Sequence, residues 1–145
     1  LEAVFEELEV DFPAIRKAVL VSFSGHCWVR ASSTGMETIL SHLLRNALEA
    51  TGGAGPVKLV CEGTDTEVFV SVEDGGVGVP VENETDIFDA FFTTKEELCA
   101  VGLGLAVSSV LARNFSGELV LANNATVAGV TEFVLRLPAL APQTP

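Results

Sequence analysis

The chain has 145 residues, about one domain's worth, and 48% of them are apolar, which is globular rather than disordered. Eight Lys and Arg against twenty Asp and Glu leave a net charge of −12. That excludes a generic phosphate-backbone binder, hence no nucleic-acid partner, and a polybasic membrane anchor, since both need clustered cations. A phosphorylated ligand must therefore be met locally. The three cysteines, Cys27, Cys61 and Cys99, are odd in number, form no CxxC or metal pattern, and read as free thiols of a reducing compartment. No apolar run of about 18 residues and no basic-then-apolar leader are seen, so the expectation is a cytoplasmic chain. Whether a parent protein is membrane-anchored stays open. Without a secretion signal, the Asn-x-Ser/Thr triplets at Asn83, Asn114 and Asn124 read as chance.

In chain order, Leu1 to Asp11 is acidic and reads as a solvated helix, or as a lead-in from an upstream domain spanning residues 1–17. Ala18 to Phe23 and Cys27 to Ala31 read as strands around a Ser24–Gly25 turn. Met36, Ile39, Leu40, Leu43, Leu44, Ala47 and Leu48 recur at spacings of three and four, which predicts a helix. Thr34 with Glu37 spells a capping-box start, and Gly52–Gly53 a stop. Val57 to Cys61 and Glu67 to Val72 predict a strand pair. Asp74 to Leu103 is loop-like, with an apolar island from Ile87 to Phe92. Gly104 to Phe115 reads as a second helix, Glu118 to Ala122 and Thr131 to Leu137 as a closing hairpin, and residues 139–145 as a frayed tail. Helices do not alternate strictly with strands. The expected fold class is therefore α+β, a two-layer sandwich with a mixed sheet covered on one face by about three helices.

Four patterns carry chemistry. On the first helix, His42, Arg45, Asn46 and Glu49 fall at helical spacing on the side opposite the apolar stripe. A neutral amide such as that of Asn46 ligates a hard cation while leaving room for phosphate oxygens. After a strand comes Asp74-Gly-Gly76-Val-Gly78, where a carboxylate can accept from an amino group such as adenine's, and glycines let the backbone approach a flat ring. Ile87-Phe88-Asp-Ala-Phe91-Phe92-Thr-Thr-Lys95 clusters aromatics and a scarce cation in an acidic loop. Gly102-Leu103-Gly104-Leu opens the second helix, whose orphan N–H groups suit an anion.

Their order and spacing resemble the ATP-binding catalytic domain of sensor histidine kinases. That is the Bergerat fold shared with gyrase, Hsp90-type chaperones and MutL-type repair ATPases. The likeness covers roughly residues 18–138, including the closing Gly129-Val-Thr131-Glu-Phe133 strand and its Leu137-Pro138 ending. Leu-Leu-Arg-Asn46-Ala-Leu-Glu-Ala and Phe91-Phe92-Thr-Thr-Lys95 are most similar to the nitrogen-regulation type. The resemblance implies ATP and Mg²⁺ as cofactors, with Asn46 on Mg²⁺ and Asp74 on the adenine amino group, supported by Thr131. Gly76 and Gly78 would frame the base and ribose. Phe91, Phe92 and Lys95 would lie over the nucleotide. Gly102, Leu103 and Gly104 would present backbone N–H groups to phosphates, and Arg45 is a further candidate phosphate contact. The implied partners are a dimerisation and histidine phosphotransfer domain of the same protein and a response-regulator receiver domain, in a full-length homodimer.

Ala100 and Val101 stand where the family usually has glycine and a small polar residue, and His42 where the gyrase branch has a catalytic Glu. His26 reads as structural, and His42 lacks the acid and Pro of a phospho-acceptor box, so the acceptor histidine is expected outside this chain. Two alternatives stay open: an ATP-binding scaffold without phosphotransfer, favoured by Ala100 and Val101, and an anti-sigma-factor-type serine kinase, disfavoured by the Phe-rich box.

Overall fold

A computed structural model describes residues 1–79, 82, 84, 86–88, 104–124 and 129–140. The elements run α1 (Glu2–Glu9), α2 (Ile15–Ala18), β1 (Val19–Ser24), α3 (Ser33–Ala50), β2 (Val57–Gly63), β3 (Glu67–Asp74), α4 (Gly104–Asn114), β4 (Glu118–Asn123) and β5 (Thr131–Pro138). The five strands form one sheet in the order β1-β2-β3-β5-β4. β1 runs parallel to β2, so the chain must cross back between them, and α3 is that crossover. The other pairings are antiparallel, which makes the sheet mixed, as expected.

Burial alternates along β2, β3 and β5, so one face packs and the other meets solvent. Val57, Leu59, Val72 and Leu135 come from the sheet, and Ile39, Leu43, Leu44 and Leu48 from α3, to form the core. A fully buried Leu side chain contributes roughly 1.5–3 kcal/mol, so the α3 stripe anchors the helical layer.

Three sequence expectations change. Ser32, not Thr34, caps α3: its extended backbone lets Oγ accept the Gly35 N–H at 3.0 Å, while Thr34 already lies in the first turn. Cys27 to Ala31 is not a strand. The chain leaves the sheet at Gly25, whose φ is 72°, and Val29 makes only an isolated bridge to Ala139. Ala139 and Leu140 donate to Thr66 and Trp28 at 2.9 and 2.7 Å. Finally, α1 is not solvated all round, because Val4, Phe5 and Leu8 are buried.

Candidate nucleotide site

α3 carries the site along one stripe. Residues 42, 46 and 50 are four apart, so they stack on one side of the helix at intervals of about one turn. At the first, Gly104 begins α4 against the His42 ring: a Cβ added there would lie 3.3 Å from His42 Cγ. His42 Nδ1 also sits 3.2 Å from Ser108 Oγ, one turn into α4. At the third, Gly76 packs on Ala50 so closely that a Cβ would lie 2.5 Å from the Ala50 carbonyl oxygen. Only glycine fits there. Asn46 lies between these contacts, half-buried. About 12 Å of helix separates the Gly104 end from the Gly76 end.

The Gly76 end meets the sheet. Asp74 closes β3 and Thr131 opens β5, and the two are direct cross-strand partners. Both are buried, at 5% and 4% exposure. Asp74 Oδ1 accepts the Gly76 N–H at 2.8 Å. Burial pushes the Asp74 carboxyl above its ordinary range and the Glu73 charge adds to this, while the Gly76 N–H opposes it. Gly78 takes φ 77°, the turn that residue type permits.

Asn124 is a residue the sequence reading did not select. It is buried, and its amide clamps the segment after Gly78. Oδ1 accepts the Val79 N–H at 2.9 Å, and Nδ2 donates to the Val79 carbonyl at 2.5 Å and to Glu84 at 2.8 Å. Val79 and Asn124 are 45 residues apart, so no local pattern signals this clamp.

The polar side of α3 is divided between two neighbours. His42 faces α4, whereas Arg45 pairs with Asp11 at 3.0 Å and lies over the Phe12 ring. The helix packs on both flanks, which splits that face. Burial lowers the His42 pKa against a hydrogen bond to the Gly104 backbone, so the ring is neutral near pH 7. Of the aromatic island, Ile87 is buried and Phe88 meets Phe133 edge-on at 6.1 Å. Phe91, Phe92, Lys95, Ala100, Val101, Gly102 and Leu103 lie outside the described residues.

Residues 31–141 match the family described as histidine kinase-, DNA gyrase B-, and HSP90-like ATPase. The chain belongs to that family. Within it, the catalytic domain of the histidine kinase ThkA, solved in a nucleotide-free form, is 31% identical, with a TM-score of 0.73 over 95% of this chain and 91% of that one. The two-component sensor PprA of Pseudomonas aeruginosa is 34% identical over 93% of this chain and 14% of its own length. The C4-dicarboxylate transport sensor DctB of Rhizobium meliloti is 34% identical over 58% of this chain and 14% of its own. The chain thus spans about one seventh of these sensors. The mycobacterial sensor kinase MprB shares the fold, with a TM-score of 0.71 at 20% identity. The molecule is the ATP-binding catalytic domain of a sensor histidine kinase. No helix among the described residues is long and apolar enough to cross a membrane.

Proposed function

We propose that ATP lies along the α3 stripe, base toward Asp74 and triphosphate toward the start of α4. The parent protein would then transfer the γ-phosphoryl group to a histidine on a separate dimerisation domain. The observation that carries this reading is the stripe itself: one helix touches Gly76 of the base end and Gly104 of the phosphate end, with Asn46 between them. In this reading one Asp74 oxygen takes the Gly76 N–H and the other accepts the adenine amino group. Thr131, directly opposite, supports the same hydrogen-bond network. Gly76 and Gly78 keep the base approach open. The N–H groups at Gly102, Leu103 and Gly104 would meet phosphate oxygens at a helix start. Arg45 would reach phosphate only by exchanging Asp11 for it. Phe91, Phe92 and Lys95 would cover the nucleotide.

The donor set suits Mg²⁺. No group of three or more His, Cys, Asp or Glu among the described residues could cage an ion. One carboxamide, at Asn46, leaves most coordination positions to phosphate and water, as Mg²⁺ prefers. Bound there, the ion would supply charge neutralisation at the β- and γ-phosphates. The remaining work is positioning, which Asp74, Gly76 and the α4 start supply.

Residues 18–138 would form the catalytic domain proper, with 1–17 leading from an upstream phospho-acceptor domain. The full-length protein would be a homodimer signalling to a response-regulator receiver domain. The Leu-Leu-Arg-Asn46-Ala-Leu-Glu-Ala wording supports the nitrogen-regulation type. Calorimetry of ATP–Mg²⁺ binding tests the site: unchanged affinity in Asp74→Asn would sink it. With labelled ATP, the chain alone should gain no stable label, and should label an added phospho-acceptor domain. Acid-labile label on His42 would overturn the placement of the acceptor elsewhere.

A further inference from the structure

At the end of the sheet away from Asp74 lies a cavity of about 250 Å³ whose lining includes Phe23, Cys27, Met36, Leu59, Cys61 and Val70. It has room for several molecules the size of water. Two of the chain's three cysteines therefore share one space.

The backbone fixes them there. In the parallel β1–β2 register Phe23 is opposite Cys61, so the chain leaving β1 starts beside that residue. It then turns onto the end of β2. A Cβ at Gly25 would lie 2.1 Å from the Gly63 oxygen, and a Cβ at Gly63 2.0 Å from the His26 oxygen. Two glycines let two backbones touch, and Cys27 follows immediately. Its thiol donates to the Ser24 carbonyl at 3.5 Å. Cys27 is also among the groups that raise the Cys61 pKa, so the two thiols lie within electrostatic reach of each other. Both are free thiols; Cys61 is buried and Cys27 half-buried.

We propose that Cys27 and Cys61 form a dithiol that hydrogen peroxide converts to an intramolecular disulfide. Burial, with Cys27 and Glu62 adding, pushes the Cys61 thiol up to about 12, so Cys27 is the sulfur that meets the oxidant first. Its sulfur attacks the peroxide O–O bond. An S–O bond forms, the O–O bond breaks, and the leaving hydroxide takes the Cys27 proton as water. Cys61 sulfur then attacks the Cys27 sulfenic acid. The S–S bond forms, the S–O bond breaks, and the second hydroxide leaves with the Cys61 proton. Two thiols lose two electrons and the peroxide becomes two waters. A dithiol of this kind in a reducing compartment is redox-sensing rather than structural. None of this depends on how nucleotide binds.

The test uses the whole chain, native, with hydrogen peroxide as the probe. A thiol-reactive dye added in denaturant should count three thiols before treatment and one after. The intact mass should fall by two hydrogens, and digestion should yield a Cys27–Cys61 linked peptide that dithiothreitol releases. Cys99→Ser should lose both of its thiols, while Cys27→Ser and Cys61→Ser should each give no such peptide. A linked peptide containing Cys99, Cys27 running on to sulfinic acid with Cys61 still free, or three thiols surviving peroxide that oxidises glutathione alongside would each overturn the proposal.

Discussion

The two ends of the sheet are built from opposite materials. At the Asp74 end, Asp74, Thr131 and Asn124 are buried polar side chains, and Asp74 and Asn124 are both hydrogen-bonded to backbone. At the far end the buried lining is apolar or thiol, around open space, and Phe23 and Trp28 stand two-thirds exposed beside it. Buried polar groups cost stability unless they are satisfied, and here they gather at the end proposed to take the nucleotide base. Binding and stability should therefore come apart when the two ends are perturbed separately.

The largest expected effect is on binding. Asp74→Asn replaces one acceptor oxygen by an NH₂ group, setting donor against donor at either Gly76 or the adenine amino group. ATP affinity should fall at least about a hundredfold by calorimetry. Stability should not fall with it. A carboxyl raised by burial contributes stability that is present below its unfolded pKa and lost as pH rises through the folded value. At pH 7 the variant should thus melt no lower than the parent; a large drop in Tm would show that the ionised carboxylate holds the fold together. Leu137→Ala makes the reverse test: Leu137 is 1% exposed and lines the far cavity. Its truncation should cost roughly 2–5 kcal/mol in urea unfolding and leave ATP affinity unchanged.

Asn124→Ala should have an effect of intermediate size on both binding and stability. It removes the hydrogen bonds that the amide makes to the Val79 N–H and carbonyl and to Glu84, and should cost about 1–3 kcal/mol. Because the segment it clamps follows Gly78, ATP affinity should weaken with it. The smallest effect concerns His42. Its pKa is held below the ordinary 6.5, so the fold resists its protonation. Its contribution is full above that value and is lost as pH falls through it. His42→Asn should flatten the decline of Tm on the acid side of 6.5 and change little at pH 8.

Much of this was legible in the residues. The three-and-four spacing from Met36 to Leu48 marks α3, and period-two alternation marks β2, β3 and β5, because one-sided burial writes itself into sequence. Asp74 stands out because it sits where a strand runs into glycines, and the structure buries it at that strand end. Asn124 was not: its partners are Val79 and Glu84, far away in the chain, and an Asn after a strand looks like any turn residue. The orientation of His42 was also hidden. Spacing says which residues share a helix side, but not that a second helix covers part of the polar one. The Cys27 to Ala31 strand misled for a related reason, since Gly25 turns an alternating segment away from the sheet.

The pairing of Asp74 with Thr131 has a consequence for how such a chain can change in length. Successive strand residues point to opposite faces, so inserting or deleting one residue between Val68 and Asp74 would put the two parts of the strand out of phase, and either the carboxylate or the valines before the change would turn away from the buried face. The Thr64–Thr66 turn, held by the Thr64 hydroxyl to Glu67, is exposed and free of that constraint. Length variation among descendants of this sequence should therefore accumulate in that turn and be almost absent from the eight residues that follow it.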